Sequence, residues 1–292
     1  DIVGDEYPGL FFDVVIHRAG IILAHPGVDR LPGQSAPVTR SSDRSCKTDH
    51  MDMVPDHELR RLEAVAGAKG WSVDDLVARR LDGEPLQYIE GSAQFGPIEL
   101  EVDERVLIPR PETETLFEIA SRMVRLPEVV VDLCTGSGAL ALALKKQFPA
   151  ASVFATDISS DAIQVAKANM ARLGEQVFLA EGNLFDPLPR SIKGEVDLVV
   201  ANPPYVAEAE FASLPDDVKR EPRVALVAGR SGLEVIERIG ASVRDWLRPG
   251  GVVVCEIGER QGVAAASSFP GIPVVVRQDL TGRDRFVIGV KP

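Results

Sequence analysis

The stretch VVVDLCTGSGAL, residues 129–140, decides the fold class. Three valines lead into Asp132, and a turn containing two glycines then leads into a helical pattern over residues 137–148. Glycine lets the backbone approach a ligand closely, and open α/β sheets bind ligands beyond the carboxyl ends of their strands. The stretch therefore predicts the first β–α junction of an α/β sheet, with a ligand site at its tip.

The rest of the chain alternates in the same way. Short apolar, β-branched runs predict seven strands, at 129–133, 152–156, 177–180, 196–201, 251–257, 274–278 and 285–290. Helical patterns fill the gaps at about 137–148, 160–173, 231–247 and 259–268. This order predicts a doubly wound, seven-stranded parallel sheet that is covered on both faces. The link between the last two strands is too short for a parallel crossover, which predicts an antiparallel last strand.

Four segments are predicted along the chain. Residues 113–292 form the main domain. Residues 95–112 form a β-hairpin linker, because apolar and polar residues alternate on both sides of Asp103-Glu104. Residues 51–94 form a small helical segment with helices at 56–69 and 72–81, the second capped by Ser72. Residues 1–50 are expected to be an irregular extension, poorly ordered over 32–48, with a small subdomain around the apolar residues 10–24 as the alternative.

Composition excludes several classes of function. The 292-residue chain has a net charge of −12, which argues against binding nucleic acid by phosphate neutralisation alone. The three cysteines are too scattered for a disulfide framework or a zinc site, and the apolar N-terminal stretch is interrupted by charge, so a cytoplasmic protein without a membrane span is expected. All four histidines precede residue 58, which removes Ser-His-Asp and zinc-hydrolase chemistry from the main domain and predicts no metal.

Polar residues end three successive predicted strands: Asp132, Asp157 and Asn183. An acid at the second tip commonly accepts hydrogen bonds from both hydroxyls of a ribose, although Asp157 could instead cap the next helix. Residues 136–141 loosely fit a dinucleotide fingerprint, but the carboxylate of Asp132 would repel a pyrophosphate and suits a cationic amino-acid group. Acid, acid and amide together predict a nucleoside-plus-amino-acid ligand, and S-adenosylmethionine fits.

The fourth strand runs into Asn202-Pro203-Pro204-Tyr205. Proline cannot continue a strand ladder, so the tetrad could be only a strand terminator. The alternative is a rigid loop that holds an amide and an aromatic ring over a reacting nitrogen. Because both prolines lack a backbone donor, nearby carbonyl groups remain free to accept hydrogen bonds.

These motifs resemble the class I S-adenosylmethionine-dependent methyltransferases, in which the subset with an Asn/Asp-Pro-Pro-Tyr/Phe tetrad methylates planar nitrogens. Four further motifs resemble the protein-(glutamine-N5) methyltransferases of the HemK/PrmC type, at residues 84–89, 106–114, 221–226 and 279–285. The resemblance covers about residues 72–290. It implies methylation of the glutamine in the Gly-Gly-Gln loop of peptide chain release factors, docked by an N-terminal helical domain. The chain departs from that pattern in having only about two helices before the hairpin, which bears on docking of the partner more than on the chemistry.

The resemblance also implies roles for individual residues. The catalytic residues are Asn202, Pro203, Pro204 and Tyr205. Substrate binding is assigned to Arg110, Pro111 and Glu112 together with Asn202 and Tyr205, although Arg110 and Glu112 could also form a surface ion pair. The cofactor-binding residues are Asp132, Cys134, Thr135, Gly136, Ser137, Gly138, Asp157, Ile158, Asn183, Leu184 and Asn202. Cys134 stands where many methyltransferases have glycine.

A mechanism follows for a glutamine substrate. The side-chain oxygen of Asn202 and the carbonyl group of Pro203 each accept one amide hydrogen, while Tyr205 packs on the amide plane. Adenine in DNA, guanine in RNA and a ribosomal protein's glutamine also present planar nitrogens, so they remain alternatives; the negative charge favours a protein and no direct contact with nucleic acid. A non-catalytic nucleoside-binding module is a competitor of another class, and an NAD-dependent oxidoreductase is a more distant one.

Overall fold

The computed structural model describes residues 53–292. The irregular extension expected over residues 1–50, including the expected disorder at 32–48, lies outside the described residues, as do residues 51 and 52 of the predicted helical segment.

Three helices open the described chain: α1 (Asp56–Lys69), α2 (Val73–Leu81) and α3 (Leu86–Glu90). They pack around a small core of their own that includes Leu62 and Leu76. The side chain of Ser72 accepts a hydrogen bond from the Asp75 N–H (3.4 Å), which confirms the predicted cap of α2. Helix α3 was not predicted, because a helix of five residues shows too little periodicity to be recognised.

The β-hairpin lies earlier in the chain than predicted. Strands β1 (Ser92–Phe95) and β2 (Ile98–Glu101) pair antiparallel around a turn at Gly96, which has φ +47°. The predicted turn at Asp103-Glu104 is wrong as a hairpin turn. Asp103 Oδ1 instead accepts the Arg105 N–H (3.0 Å) in a local turn, and residues 104–110 contain no strand. Residues 105–109 form a loop. Their sequence alternates as in a strand because Val106 and Ile108 are buried and their neighbours are not.

Helix α4 (Pro111–Met123) leads into a seven-stranded sheet, which confirms the predicted fold class. The strands of this sheet are β3 (Val129–Leu133), β4 (Ser152–Asp157), β5 (Phe178–Glu181), β6 (Val196–Ala201), β9 (Leu247–Glu256), β10 (Val274–Gln278) and β11 (Asp284–Val290). They lie in the order β10-β11-β9-β6-β3-β4-β5. Strand β11 runs antiparallel to both of its neighbours, so the last strand is antiparallel as predicted.

Helices cover both faces of the sheet and create two cores. The first contains side chains of α4, α5 (Ala139–Gln147) and α6 (Ser160–Leu173), and the second contains side chains of α8 (Glu234–Trp246) and α9 (Gly262–Ser267). Strand β6 is buried throughout, which explains its continuous apolar sequence. A short parallel pair, β7 (Val206–Ala207) and β8 (Val227–Gly229), joins the segment after β6 to helix α7 (Arg223–Leu226). Over residues 53–292, no helix is long and apolar enough to cross a membrane.

Asn169 of helix α6 connects the hairpin to the ligand-binding end of the sheet. Its fully buried side chain accepts the Glu101 N–H (2.7 Å) and donates to the carbonyl groups of Glu101 (2.9 Å) and Ser137 (3.0 Å). These three hydrogen bonds fix strand β2 against the loop that follows β3.

We expect Asn169→Ala to lower the free energy of unfolding by about 2–4 kcal/mol, because each buried group that loses its partner costs about 1–3 kcal/mol. Chemical denaturation measures this change. Gln164→Ala, on the exposed face of the same helix, is the matched control and should change the free energy by less than about 0.5 kcal/mol. Equal effects of the two substitutions would contradict a connecting role for Asn169.

Candidate active site

A cavity of about 200 Å³ opens at the carboxyl ends of β3, β4 and β6. This is where open α/β sheets bind their ligands. The sequence-predicted residues that line it are Cys134, Thr135, Gly136, Ser137, Asp157, Ile158, Asn183, Leu184, Asn202 and Pro204. The other predicted residues do not line it: Asp132, Gly138, Pro203, Tyr205, Arg110, Pro111 and Glu112. Most of the residues that were predicted to bind the cofactor therefore line the same cavity.

Two non-glycine residues of the cavity wall have a left-handed backbone. Cys134 has φ +59° and Leu184 has φ +51°, and they are the only such residues in the described chain. This conformation is unfavourable for residues with a Cβ atom and concentrates at functional sites. The carbonyl group of Leu184 is fixed by a hydrogen bond from the buried Thr156 hydroxyl (2.8 Å). The turns after β3 and β5 are thus held in set conformations at the cavity.

Asp132 lies beneath the cavity rather than in its wall. Its Oδ2 accepts hydrogen bonds from the Thr135 hydroxyl (2.6 Å) and the Ala141 N–H (3.1 Å), which tie the turn after β3 to the start of α5. Its Oδ1 is buried and has no partner within residues 53–292. Burial raises the pKa of Asp132 to about 7, against the opposing effect of its two donors. The carboxyl group is an acceptor with one oxygen still to be satisfied.

Asp157 stands at the tip of β4 in the cavity wall. Its Oδ2 accepts the Gly136 N–H (2.8 Å) and its Oδ1 accepts the Ser159 N–H (2.9 Å). The helix cap that the sequence offered as an alternative role belongs to Ser159, whose hydroxyl accepts the Ala162 N–H (3.2 Å). A carboxylate has about four acceptor positions, so Asp157 can still accept from a ligand. Burial raises its pKa.

The residues around the cavity fit S-adenosylmethionine. Asp157 offers acceptors for a ribose at the second strand tip, and Asn183 and Leu184 offer amide and apolar surface at the third. Ile158, with 60% of its surface exposed, and Ala162 add apolar contact for a base. In its ionised form, the carboxyl group of Asp132, which has one unpartnered oxygen, supplies negative charge directly behind the turn at Thr135. Asp157, the apolar wall and Asp132 thus match the ribose, the base and the charged amino-acid group of the ligand in turn.

Asn202 is held in one orientation at the edge of the cavity. Its Nδ2 donates to the Thr113 hydroxyl oxygen (2.9 Å), and that hydroxyl donates to Oε2 of Glu256 (2.8 Å). The amide oxygen of Asn202 is left without a partner in the described chain. The carbonyl group of Pro203 likewise accepts no hydrogen bond from residues 53–292. Both acceptors of the tetrad therefore lack a partner within residues 53–292, and Pro203 itself is buried and does not line the cavity. Their role towards a substrate stays a prediction.

Tyr205 lies behind the cavity wall and is held at both ends. Its hydroxyl contacts Oε1 of Glu256 (3.3 Å), and its carbonyl group accepts from Nε2 of Gln261 (2.9 Å). Gln261 Nε2 also contacts the carbonyl group of Gly232 (3.2 Å). A Cβ atom at Gly232, which has φ +81°, would lie 2.5 Å from the Tyr205 carbonyl oxygen, so only glycine fits this contact. The loop that contains the tetrad is therefore fixed at Tyr205 by Glu256, Gln261 and Gly232.

The loop before α4 reaches the cavity through Pro109, and Thr113 in the first turn of α4 lines the cavity beside it. Arg110 does not pair with Glu112. Its guanidinium donates to the buried carboxylate of Glu221, which also accepts the Ile108 N–H (3.2 Å). The surface ion pair that the sequence left open is therefore replaced by a partly buried bridge between two motif segments. Tyr88 anchors the same loop by donating to the carbonyl group of Val106 (2.5 Å).

Comparison with known proteins identifies the family. Residues 113–220 match the family model described as the methyltransferase small domain. A release factor glutamine methyltransferase of Deinococcus radiodurans is 40% identical over 226 residues, which cover 76% of this chain and 79% of that protein. One of Koribacter versatilis is 36% identical over 272 residues, 89% of this chain and 92% of that protein. The chain belongs to the release factor glutamine methyltransferase family.

As a member of this family, the chain is an S-adenosylmethionine-dependent methyltransferase. A solved structure of a methyltransferase from Pyrococcus furiosus supports the fold: it has a TM-score of 0.52 at 20% identity and covers 73% of this chain and 96% of that one. The resemblance inferred from the sequence motifs is confirmed.

Sequence reasoning missed several residues of the site. Two of them, Glu256 and Glu221, are buried acids. A third, Thr113, lines the cavity, although only its neighbours Arg110, Pro111 and Glu112 were predicted to have a role. One available indication was Glu256 itself, a charged residue at the end of an otherwise apolar strand, where burial requires partners. Arg238 also lines the cavity, and nothing in the sequence pattern pointed to it.

Asp132 and Glu256 should make stability depend on pH. Burial raises the pKa of both carboxyl groups to about 7. A group whose pKa is higher in the folded state binds its proton more tightly there, so its contribution is present at low pH and is lost as pH rises towards 7. We therefore expect the free energy of unfolding to fall from pH 5 to pH 7.5, with a shallower slope in Asp132→Asn. Denaturation at several pH values measures both slopes. A rising free energy over this range would contradict the burial of these acids.

Proposed function

We propose that the chain transfers a methyl group from S-adenosylmethionine to the side-chain amide nitrogen, N5, of the glutamine in the Gly-Gly-Gln motif of peptide chain release factors. The observation that carries the proposal is the fixed orientation of Asn202, which leaves its amide oxygen free at the edge of the cofactor cavity. The names of the relatives indicate the same type of substrate for those proteins.

Each side of the cavity has a part in the proposal. The turn over residues 134–138, with Asp157, Ile158, Asn183 and Leu184, holds the cofactor. Asp132 acts from beneath that turn: it fixes the turn's conformation and, when ionised, adds negative charge behind it. When bound, S-adenosylmethionine supplies a methyl group on a positively charged sulfur. Asn202 touches both ligands, because it lies where the cofactor cavity meets the tetrad.

The tetrad prepares the acceptor. An amide nitrogen is a weak nucleophile because its lone pair is delocalised into the carbonyl group. The Asn202 amide oxygen and the Pro203 carbonyl group accept the two amide hydrogens of the glutamine, and Tyr205 packs beside its plane. The nitrogen is thereby turned towards the cavity, where its lone pair would form the new bond to the methyl carbon. The electron pair of the broken carbon–sulfur bond would stay with the sulfur, which leaves as a neutral thioether, and one hydrogen of the amide nitrogen would be released as a proton to solvent. Well-oriented reactants reach effective molarities of about 10⁵ M or more, so positioning alone supplies a large part of the acceleration.

The segments before the main domain are assigned to the partner. The helical residues 53–91 and the hairpin stand ahead of the loop that contains Pro109, and that loop lines the cavity. We assign docking of the release factor to this helical segment, and contact with the Gly-Gly-Gln loop to Arg110, Pro111 and Glu112. The bridge between Arg110 and Glu221 holds the loop in place for that contact. The cytoplasm, where release factors act, is the corresponding location.

The test is methyl transfer from labelled S-adenosylmethionine to purified release factors, ribosomal proteins, DNA and RNA. Mass spectrometry should find one added methyl group on the glutamine of the Gly-Gly-Gln motif. A release factor with this glutamine replaced by asparagine is the matched control and should remain unlabelled. Label on a ribosomal protein or only on nucleic acid would replace the proposed acceptor, and cofactor binding without transfer to any acceptor would indicate a binding module.

A further inference from the structure

Four polar side chains from separate parts of the chain meet behind the tetrad. Thr113 belongs to the first turn of α4, Glu256 ends β9, and Asn202 and Tyr205 belong to the loop after β6. Hydrogen bonds run from Asn202 to Thr113 (2.9 Å), from Thr113 to Glu256 (2.8 Å) and from Tyr205 to the other oxygen of Glu256 (3.3 Å). One carboxylate thus connects the first and last residues of the tetrad.

We propose that Thr113 and Glu256 are positioning residues that fix the direction of the Asn202 amide and the place of Tyr205 for methyl transfer. This inference rests on the proposed function, because it concerns the same tetrad.

The direction of the hydrogen bonds follows from chemistry. An ionised carboxylate only accepts, so Thr113 and Tyr205 must both donate to Glu256. Thr113 has one hydroxyl hydrogen, and once it is given to Glu256 its oxygen can only accept from Asn202. Asn202 must therefore present its NH₂ group to Thr113 and its oxygen to the cavity. Without the acid, the hydroxyl hydrogen could point to Asn202 and hold the amide the other way round.

The burial of Glu256 makes a purely structural role a poor explanation. Only 1% of its surface is exposed, and it follows four apolar residues of β9. Burying a carboxylate is costly, and an apolar residue of similar size is often as stable or more so. The hydrogen bonds of Thr113 and Tyr205 offset part of that cost.

Charged and titratable groups act on Glu256 from three other parts of the fold and from its own strand. Glu112 lies on α4, Tyr205 on the tetrad loop, Arg285 on β11, and Cys255 precedes it in β9. Burial raises the pKa of Glu256 to about 7, while Thr113 and Arg285 oppose the rise and Glu112 adds to it. A protonated Glu256 could donate to Thr113 and reverse the network. Activity at saturating substrates should therefore fall as pH decreases through about 7.

A matched pair of substitutions at Thr113 tests the direction. Thr113→Val keeps the shape of the side chain but removes the hydroxyl, and we expect kcat to fall about 10- to 100-fold, the scale of a lost orientation. Thr113→Ser keeps the hydroxyl and should retain kcat within about threefold. The affinity for S-adenosylmethionine and the KM for the release factor should remain close to those of the wild type in both variants. Equal kcat in the valine and serine variants would overturn the proposal.

Glu256→Gln provides the second measurement. We expect a similar fall in kcat and loss of the decline below pH 7, because no carboxyl group remains to titrate. The double variant Thr113→Val/Glu256→Gln should be little worse than the poorer single variant, since the two residues act in one chain. Fully multiplicative losses, or an unchanged pH profile in Glu256→Gln, would contradict a shared positioning role.

A readout without catalysis separates this inference from the proposed function. In NMR spectra, the side-chain NH₂ group of Asn202 should show slow hydrogen exchange in the wild type and Thr113→Ser, and fast exchange in Thr113→Val. If the wild type methylates another planar nitrogen, the same variants are assayed on that acceptor. If it methylates nothing, the proposed function fails and the exchange data alone decide: equal exchange in all three proteins overturns the positioning role.

Discussion

Replacing Asn202 by alanine should nearly abolish methyl transfer while leaving a protein that still binds S-adenosylmethionine. The substitution removes the amide oxygen that faces the cavity and the NH₂ group that donates to Thr113. Loss of one preorganised hydrogen-bonding group at a reacting centre lowers kcat by about 10²- to 10³-fold. Steady-state assays with labelled cofactor measure the rate, and calorimetry measures the affinity, which should fall by no more than about tenfold because apolar walls and Asp157 remain.

Asn202→Asp is the informative control. Aspartate keeps acceptor oxygens at the cavity but loses the NH₂ group that holds the orientation, and it adds a second acid near Glu256. We expect activity between those of the wild type and Asn202→Ala, and cooperative thermal unfolding of each protein should show that all three fold. Full activity in Asn202→Ala would refute the mechanism, and loss of cofactor binding together with activity would assign Asn202 to the cofactor instead.

The sheet was predictable because its pattern is local. Continuous β-branched runs such as residues 196–201 are required wherever a strand is buried on both faces, and the boundaries of β3, β6 and β10 match the predictions. The antiparallel last strand followed from the length of one link. The hairpin was misplaced because burial of Val106 and Ile108 gives a loop the alternation of a strand. Alternating apolar and polar residues indicate that one side of a segment is buried. They indicate a strand only where a second strand can pair with it.

The site was predictable only where it depends on strand tips. Asp157 ends β4, Asn183 lies two residues after β5, and Asn202 directly follows β6, so the parallel sheet brings them together. Thr113 and Glu256 are 143 positions apart, and their contact depends on how α4 packs on β9. No periodicity encodes such a contact. The same limit applies to Arg110, whose partner Glu221 is 111 positions away.

Asp157 is expected to contribute most to cofactor affinity. In Asp157→Ala, the N–H groups of Gly136 and Ser159 lose their acceptor, and the proposed ribose contacts are lost with them. Each hydrogen bond to a charged group contributes about 1.5–3 kcal/mol, so the Kd for S-adenosylmethionine should rise about 100-fold or more. At saturating cofactor, kcat should stay within a few-fold of the wild type, because Asp157 does not touch the acceptor side.

The control for Asp157 is Asp186→Ala, an exposed aspartate outside the cavity, which should leave the Kd unchanged. Asp157→Asn separates charge from shape: its one oxygen can accept from only one side, and its NH₂ group opposes the other N–H, so its Kd should lie between those of the wild type and the alanine variant. Calorimetry on the four proteins gives the ranking. If the Asp157→Ala protein binds S-adenosylmethionine with wild-type affinity, Asp157 does not bind the ribose. Neither its position in the cavity wall nor its two backbone hydrogen bonds would then contribute to cofactor binding.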